Sequence, residues 1–257
     1  MPLSSNSLIH LTSTRKALEG ILENSFRVKY CKEQIKWNKK TSTIHVPMVS
    51  FCDIPLSQIK DHISSYGFYG IGLTREWAVR NRLNPVLYVE QYSHLAHSYE
   101  QAITHFSKNE DEDEGEDENE DKDEATERAH KQLVDIARYT KNYEGMLERN
   151  GETAKKYRFS DEREWRYVPD IDHTCKMYYN KYDFAEPGAK EEAAKSVADL
   201  RLKFEPDDIK YIIIKDESEI TEFVNHLRAS KGANFSMHTV EKLTTRILTS
   251  EQIKTDF

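Results

Sequence analysis

Apolar residues fall in short, separate runs whose spacing predicts alternating strands and helices. Residues 8–11 predict a first strand, and the hydroxyls of residues 12–14 can cap a helix whose apolar positions recur over 17–22. A Gly- and aromatic-rich loop over 66–73 predicts entry into another strand. Further strands are predicted at 46–54, 86–89, 165–168, 200–204, 211–215 and 246–249. Further helices are predicted after Pro55, after Thr74, and over 94–106, 126–149 and 220–227.

Two stretches, 23–45 and 171–195, are polar and mixed, with Trp37 as a large apolar anchor in the first. We assign no helix or strand to either stretch, and we find no internal repeat. Many short strands with helices between them are typical of an α+β fold. The sequence therefore predicts a single α+β domain over residues 1–257.

Charge is concentrated in one acidic tract. Residues 110–124 contain twelve acidic residues and one lysine, a net charge of −11, whereas the whole chain carries −8. The rest of the chain therefore carries +3 and is mildly basic, although the sequence pI is about 5.7. Like charges repel and the tract has no apolar residue, so we predict an acidic, disordered insert at 109–125 between two helices. It is either a solubilising loop, a mimic of nucleic acid that shields a basic surface of the chain, or a segment that binds a basic partner.

Several classes of protein are disfavoured by what the sequence lacks. No apolar run approaches the roughly 20 residues that span a bilayer, and residues 1–13 lack the basic and apolar regions of a secretory signal. Cys31, Cys52 and Cys175 are odd in number and widely spaced, which supports neither a disulfide framework nor a zinc ribbon. We expect a cytoplasmic protein without a membrane partner.

The first candidate for chemistry is the pair His10 and Thr12, followed by Ser13. Residues two apart on a strand share a face, so an imidazole and a hydroxyl can together bind a sugar or an amide. The alternative is a structural histidine beside an ordinary helix cap.

The second candidate is the run Ser50-Phe51-Cys52-Asp53 in the predicted strand 46–54. Cys52 could act as a nucleophile with Asp53 as an acid. The alternative is a core strand, because cysteine is among the residues most often buried.

The third candidate is Glu162-Arg163-Glu164 at the start of the strand 165–168, with Arg166 two residues beyond Glu164. A carboxylate here could bind a ribose hydroxyl and stabilise an oxocarbenium-like centre. The alternative is an ion-paired edge strand.

A fourth feature is the predicted helix after Thr74, which carries Arg75, Trp77, Arg80 and Arg82. Arginine and aromatic side chains together bind single-stranded bases. The alternative is an amphipathic helix with Trp77 in the core.

The order His-x-Thr-Ser, then an apolar strand with Ser-Phe, then Glu-x-Glu before a late strand resembles the order in ADP-ribosyltransferases. The opening LIHLTSTRKALEGIL resembles that superfamily's strand ending in His-x-Thr followed by a helix. More narrowly, VPMVSFCDIPLSQIKDHISSYGFYGIGLTREWAVRNRLNPVLYV and FSDEREWRYVP resemble the AbiGi family of abortive phage-resistance proteins, which is described as an antitoxin family.

The superfamily resemblance implies a split, twisted β-sheet flanked by helices, with an NAD-binding cleft and no metal. His10 would bond a ribose with support from Thr12, and Glu164 would stabilise charge on C1′ and hold the 2′-hydroxyl while a target nucleophile attacks. Phe51 or Tyr69 would stack on nicotinamide. The other residues with implied roles are Leu11 and Ser50, in the cofactor-binding set, and Glu162, Arg163 and Arg166, at the target.

The leading hypothesis is therefore an NAD-dependent mono-ADP-ribosyltransferase, a toxin of phage defence that modifies a nucleic acid or a protein. The alternative is a non-catalytic antitoxin or sensor that works by binding a cognate protein partner. A nuclease or other hydrolase is disfavoured, because no metal-binding acid cluster lies outside the acidic tract. His94 and His97 lie three apart on a predicted helix but lack a third ligand.

Overall fold

A computed structural model describes residues 5–111, 120–149, 152–232 and 234–256. The strands are β1 (Ser7–Thr12), β2 (Phe26–Arg27), β3 (Lys29–Trp37), β4 (Lys40–Cys52), β5 (Tyr69–Thr74), β6 (Asn84–Pro85), β7 (Leu87–Val89), β8 (Thr140–Asn142), β9 (Gly145–Arg149), β10 (Glu152–Tyr157), β11 (Glu164–Tyr167), β12 (Tyr179–Asn180), β13 (Arg201–Leu202), β14 (Ile209–Ile214) and β15 (Ile247–Thr249).

The α-helices are α1 (Arg15–Asn24), α2 (Lys60–Tyr66), α3 (Arg75–Arg80), α4 (His94–Asp111), α5 (Glu120–Arg138), α6 (Ala189–Ser196), α7 (Ile220–Gly232), α8 (Met237–Thr244) and α9 (Ser250–Asp256). Short 3₁₀ helices lie at Leu56–Gln58, Phe159–Glu162, Asp183–Ala185, Pro206–Asp208 and Glu217–Glu219. The α+β prediction is confirmed.

Two predicted helix starts are confirmed by their caps. The Thr14 hydroxyl accepts a bond from the Ala17 N–H, and the Thr74 hydroxyl accepts one from the Trp77 N–H, each at 3.2 Å. Each bond satisfies an N–H that the first helical turn leaves without a partner. Gly67 ends α2 with φ of 125°, and a Cβ there would collide with the Thr12 carbonyl, so only glycine fits this junction.

Two sequence predictions are wrong. The helix predicted over 126–149 ends at Arg138, and β8 and β9 follow it. The stretch 23–45 contains β2, β3 and the start of β4, and 171–195 contains β12 and most of α6. Of the predicted insert 109–125, residues 112–119 lie outside the described residues, whereas its two ends belong to α4 and α5.

The main sheet has the strand order β15-β14-β5-β1-β4-β11-β6, and β3 and β12 also pair with β4. Among these pairs only β14 and β15 are parallel. Strand β1 pairs with β5 over six positions, from Ser7 opposite Thr74 to Thr12 opposite Tyr69. With β4 it pairs only at Ile9 opposite Cys52. The sheet therefore separates between β1 and β4.

Side chains alternate between the two faces along each strand. Both faces carry apolar side chains, and each face packs against helices. Leu8, Phe51 and Trp165 point into the larger core, where Trp77 of α3 is fully buried. Ile9 and Ile213 point to the other face, where Ile63 of α2 and Ile253 of α9 cover them. The separation between β1 and β4 is therefore a gap in the sheet, with one core on each side of the sheet.

Candidate functional site

A cleft of about 250 Å³ lies where β1 and β4 separate, and we call it the charged cleft. Its predicted site residues are His10 and Leu11 from β1, Ser50 and Phe51 from β4, and Glu164 from β11. Glu162 also lines it. Residues that are far apart in the sequence meet here because β1 and β11 are both neighbours of β4 in the sheet.

Glu164 accepts four bonds from protein donors. Its Oε1 accepts from the Ser50 hydroxyl at 2.9 Å and from Arg166 Nε at 2.7 Å. Its Oε2 accepts from Lys141 Nζ at 3.0 Å and from Arg166 Nη2 at 3.3 Å. A carboxylate has about four lone-pair sites, so these contacts fill the hydrogen-bonding capacity of the side chain.

The partners of Glu164 belong to a larger buried network. Arg166 is fully buried, pairs with Glu33 at 2.9 Å, and donates to the Arg138 carbonyl at 2.9 Å. Lys141 also donates to Glu162 at 3.0 Å. Glu162 accepts further bonds from the hydroxyls of Tyr66 and Tyr157. Three carboxylates face two cations, so the network is held together internally and carries one net negative charge.

Electrostatics keep Glu164 and Lys141 ionised. Burial by itself raises the pKa of Glu164, but the charges of Arg166 and Lys141 outweigh it and hold that pKa well below the ordinary 4.5. Burial likewise lowers the pKa of Lys141, and the three carboxylates around it, Glu164 foremost, raise it above 10.5. Proton exchange with a substrate is therefore unfavourable for either group at neutral pH.

His10 is neutral and anchored to the protein. Its Nδ1–H donates to the Ser50 carbonyl at 2.8 Å, and its ring packs against Phe26 and Phe51 at centroid distances of 5.2 and 5.6 Å. Burial lowers the pKa of His10 more than the bond to Ser50 raises it. Ser50 thus links the two predicted catalytic residues, binding His10 through its carbonyl and Glu164 through its hydroxyl.

The cysteines at the charged cleft are poor nucleophiles. Burial raises the pKa of Cys52 to about 12 and that of Cys31 to about 11, and the Cys52 thiol donates to the Ile9 carbonyl at 3.3 Å. Because the thiolate is the reactive form, the interpretation of Cys52 as a core residue fits better than a thiol mechanism.

Four predicted site residues do not line the charged cleft. Thr12 lies at the end of β1, and the Tyr69 hydroxyl donates to Glu219 at 2.8 Å within the larger core. Arg163 adopts φ of 43° in the turn before β11. Arg166 lies behind Glu164, fully buried. Of the two aromatic candidates for stacking, the structure brings only Phe51 to the cleft.

Sequence reasoning missed Lys141 and Glu33, which complete the network. Lys141 lies in β8, inside the stretch predicted as helix, and no sequence signal sets it apart. Glu33 did have a signal, because Cys31, Glu33, Ile35 and Trp37 recur every second residue and so share one face of a strand.

The structure confirms the interpretation that places Trp77 of α3 in the core, because this side chain is fully buried. Arg75, Arg80 and Arg82 pair with Asp53, Asp208 and Asp170 respectively.

No group of three His, Cys, Asp or Glu side chains among the described residues could hold a metal ion. Within the same residues, no helix is both long and apolar enough to cross a membrane.

Comparison with known proteins places the chain in a family. A family model described as "Putative abortive phage resistance protein AbiGi, antitoxin" matches residues 24–215, which include Glu164 but begin after His10. The abortive phage resistance protein AbiGi of Lactococcus lactis subsp. cremoris is 27% identical over 244 residues, covering 88% of this chain and 95% of that protein. No solved structure matches the chain. Because the family model spans most of its length, the chain belongs to the AbiGi family of abortive phage resistance proteins.

Proposed function

We propose that this chain acts in abortive phage resistance as an antitoxin, which neutralises a toxin by binding it and has no catalytic role. The observation that carries the proposal is the state of Glu164, the residue a transferase would need. Its two oxygens already accept four bonds from Ser50, Lys141 and Arg166. A ribose hydroxyl would have to displace one of these donors, and three of the four bonds come from the buried cations Lys141 and Arg166, whose removal from the carboxylate is costly.

The family match supports the same function. The family description contains the word antitoxin, and the Lactococcus relative has the name of an abortive phage resistance protein. An antitoxin needs a binding surface rather than a reactive group, which agrees with an internally satisfied network.

The charged cleft is also small for NAD. Ligand sites for drug-sized molecules measure about 300–1,000 Å³, whereas this cleft measures about 250 Å³, and a dinucleotide is a large ligand. The residues present therefore do not fit the whole cofactor, and we derive no step of a transferase reaction through it.

A surface for the toxin is offered by exposed apolar side chains. Five of the ten large hydrophobic residues exposed in the described part of the chain lie in two short segments, 87–95 and 143–146. The parallel pairing of β7 with β8 brings these segments together, and the Tyr143 N–H donates to the Val89 carbonyl. The five residues are Leu87, Tyr92, Leu95, Tyr143 and Met146. Concentrated exposed apolar residues mark protein interaction sites.

The test is repression of this chain in its native genetic background, with neighbouring genes intact. Growth is expected to stop because an unneutralised toxin remains, and expression of the wild-type chain is expected to restore it. Growth that continues after repression, or arrest caused by this chain expressed alone, would overturn the proposal.

Two matched variants locate the toxin surface. Leu95→Asp places a charge in the first turn of α4, at a position that is 53% exposed, and is expected to abolish rescue. Met237→Asp does the same in the first turn of α8, at a 73% exposed position, and is expected to leave rescue intact. Acidic residues are favourable at a helix N-terminus, so both variants should fold.

A second candidate function, the NAD-dependent ADP-ribosyltransferase, is favoured by one observation: His10, Ser50 and Glu164, named by the resemblance, line the same cleft. The test is transfer of label from radiolabelled NAD to RNA, single-stranded DNA or lysate proteins by purified wild type and Glu164→Gln. The antitoxin proposal predicts no transfer by either protein. Label that depends on Glu164, with the variant folded, would favour the transferase.

A further inference from the structure

A second cavity, of about 290 Å³, lies between the helix pair α4–α5 and the hairpin β3–β4. We call it the aromatic cavity, after Trp37, Tyr99, Tyr178 and Tyr182 in its walls. It shares no lining residue with the charged cleft. Its volume is near the lower end of the range for small-molecule sites, about 300 Å³, and its walls are predominantly apolar, as such sites usually are.

The deep wall of the aromatic cavity contains a pair of stacked aromatic rings. Trp37 is only 6% exposed and stacks on Tyr99, with ring centroids 4.6 Å apart and an angle of 23° between the planes. The Tyr99 hydroxyl donates to the Leu133 carbonyl, which fixes its ring against α5. Ile35 and Val134, both buried, complete this wall. Such a wall suits a planar, apolar ring.

The mouth of the aromatic cavity carries a cation beside an exposed ring. Tyr182 is 70% exposed, and Lys181 Nζ lies 4.6 Å from the centre of its ring. Asn180 fixes this turn, because its Oδ1 accepts the N–H groups of Tyr182 and Asp183 at 2.8 and 2.9 Å. Glu100, on α4, is already paired with Lys40 at 3.4 Å. The mouth therefore favours an anionic group.

We propose that the aromatic cavity binds a small planar aromatic compound that carries one anionic group. The ring system lies against Trp37 and Tyr99, Tyr182 covers its outer side, and Lys181 meets the anion. Stacking and burial of apolar area provide the affinity, and the cation at the mouth selects charged over neutral rings. This site is independent of the proposed antitoxin function, since it involves neither the charged cleft nor the exposed apolar segments.

Isothermal titration calorimetry on the purified full chain tests the proposal with three probes. The probes are 2-naphthoate, an aromatic anion; 2-naphthol, a neutral aromatic; and cyclohexanecarboxylate, a non-planar anion. We expect 2-naphthoate to bind at least about tenfold more tightly than either of the others, a factor that corresponds to 1.4 kcal/mol. Absence of binding by 2-naphthoate, or equal affinity for cyclohexanecarboxylate, would overturn the site.

Two lysine variants test the role of the cation. Lys181→Met is expected to weaken 2-naphthoate about tenfold and to leave 2-naphthol unchanged. Lys176→Met is the matched control, because Lys176 also lies over a tyrosine ring, 4.7 Å from that of Tyr179, but does not line the cavity. An equal loss in both variants would contradict the assignment of the anion to Lys181.

Filling the aromatic cavity tests its location. Ala137 of α5 lines the cavity, and Ala137→Leu extends a side chain into the space for the ring. We expect 2-naphthoate binding to be lost while the circular dichroism spectrum and the unfolding transition remain those of a folded chain. Unchanged binding by the folded variant would place the ligand elsewhere. If this variant fails to fold, the Lys181 and Lys176 pair decides the question alone.

Discussion

The charged cleft and the aromatic cavity have similar volumes but opposite chemistry, and one face of β3 lines both. Cys31 and Glu33 face the charged cleft, whereas Ile35 and Trp37, on the same face further along, line the aromatic cavity. In the cleft, charged groups saturate one another and little capacity is left for a ligand. In the cavity, predominantly apolar walls surround the space that the proposed ligand would fill. We therefore expect the charged cleft, despite its reactive residue types, to be the weaker ligand site of the two.

The largest effect that separates the two spaces should come from Arg166→Met. This change leaves the buried Glu164 and the partly buried Glu33 without their main partner, and breaking a buried pair costs about 3–5 kcal/mol. Urea unfolding at pH 7.5 measures the loss in the free energy of unfolding. Arg228→Met is the control, since Arg228 pairs with Glu241 at the surface and its removal should leave the midpoint unchanged. A loss as small as the control's would show that the network is not structural.

Acid should weaken the charged cleft in two separate steps. Burial lowers the pKa of His10 below 6.5 in the folded chain, so the unfolded chain takes up its proton first. The contribution of neutral His10 to the free energy of unfolding is therefore fully present above pH 6.5 and is lost as the pH drops below that value. The pKa of Glu164 is held below 4.5, so its contribution is present above pH 4.5 and is lost at lower pH.

His10→Asn checks the first step. Urea unfolding between pH 7.5 and 5 should show a shallower fall in stability than in wild type, and the remainder should include the contribution of His45, whose pKa burial also lowers. His97→Asn, at an exposed position of α4, is the control and should keep the wild-type slope. An unchanged slope in His10→Asn would contradict a buried neutral His10.

A smaller and pH-independent effect is expected in the aromatic cavity. Ile35→Val removes one methyl group from a side chain that is 1% exposed, which costs about 0.5–1.5 kcal/mol. The loss should be equal at pH 5.5 and 7.5, because no ionisable group depends on that methyl. Val79→Ala, at a 64% exposed position, should leave stability unchanged. If the loss in the free energy of unfolding differs between the two pH values, the packing of the aromatic cavity depends on ionisable groups, and this prediction is wrong.

The smallest effect concerns the thiols and leaves stability unchanged. With its pKa raised to about 12, Cys52 is almost entirely protonated at pH 7.5. Alkylation by iodoacetamide, followed by peptide mass spectrometry, should therefore be at least about 100-fold slower at Cys52 in the folded chain than in guanidinium. Rapid alkylation of the folded chain would restore the thiol nucleophile as a candidate.

Local signals predicted much of the fold. Thr14 and Thr74 marked helix starts because a hydroxyl cap acts within three residues, and Ile212 to Ile214 marked a strand because the run is short and β-branched. Strand β3 and residues 40–45 of β4 were missed because lysines on the outward face hide the alternation of β3. The stretch after Arg138 was missed because β8 is only three residues long and exists through pairing with β7.

The site was only partly predictable because, like β8, it depends on contacts between residues that are far apart in the sequence. The residue pattern made His10, Ser50 and Glu164 candidates and the resemblance gave them roles, and the structure brings them together through the order of β1, β4 and β11. What the sequence could not reveal is that Glu164 is saturated, because Lys141 and Arg166 act through tertiary contacts. Residue type indicated a possible chemistry, whereas neighbours across the sheet determine whether that chemistry is available.

The position of β1 in the middle of the sheet has a consequence for how the chain is made. Strands β1, β4 and β5 all lie within the first 74 residues and emerge from the ribosome early. Their outer neighbours β11 and β14 follow only at 164–167 and 209–214. Until then the free edge of β5 and the Val49–Cys52 end of β4 expose unpaired backbone groups, which invite pairing between chains. Nascent or truncated chains that end before β14 should therefore be prone to aggregate during synthesis.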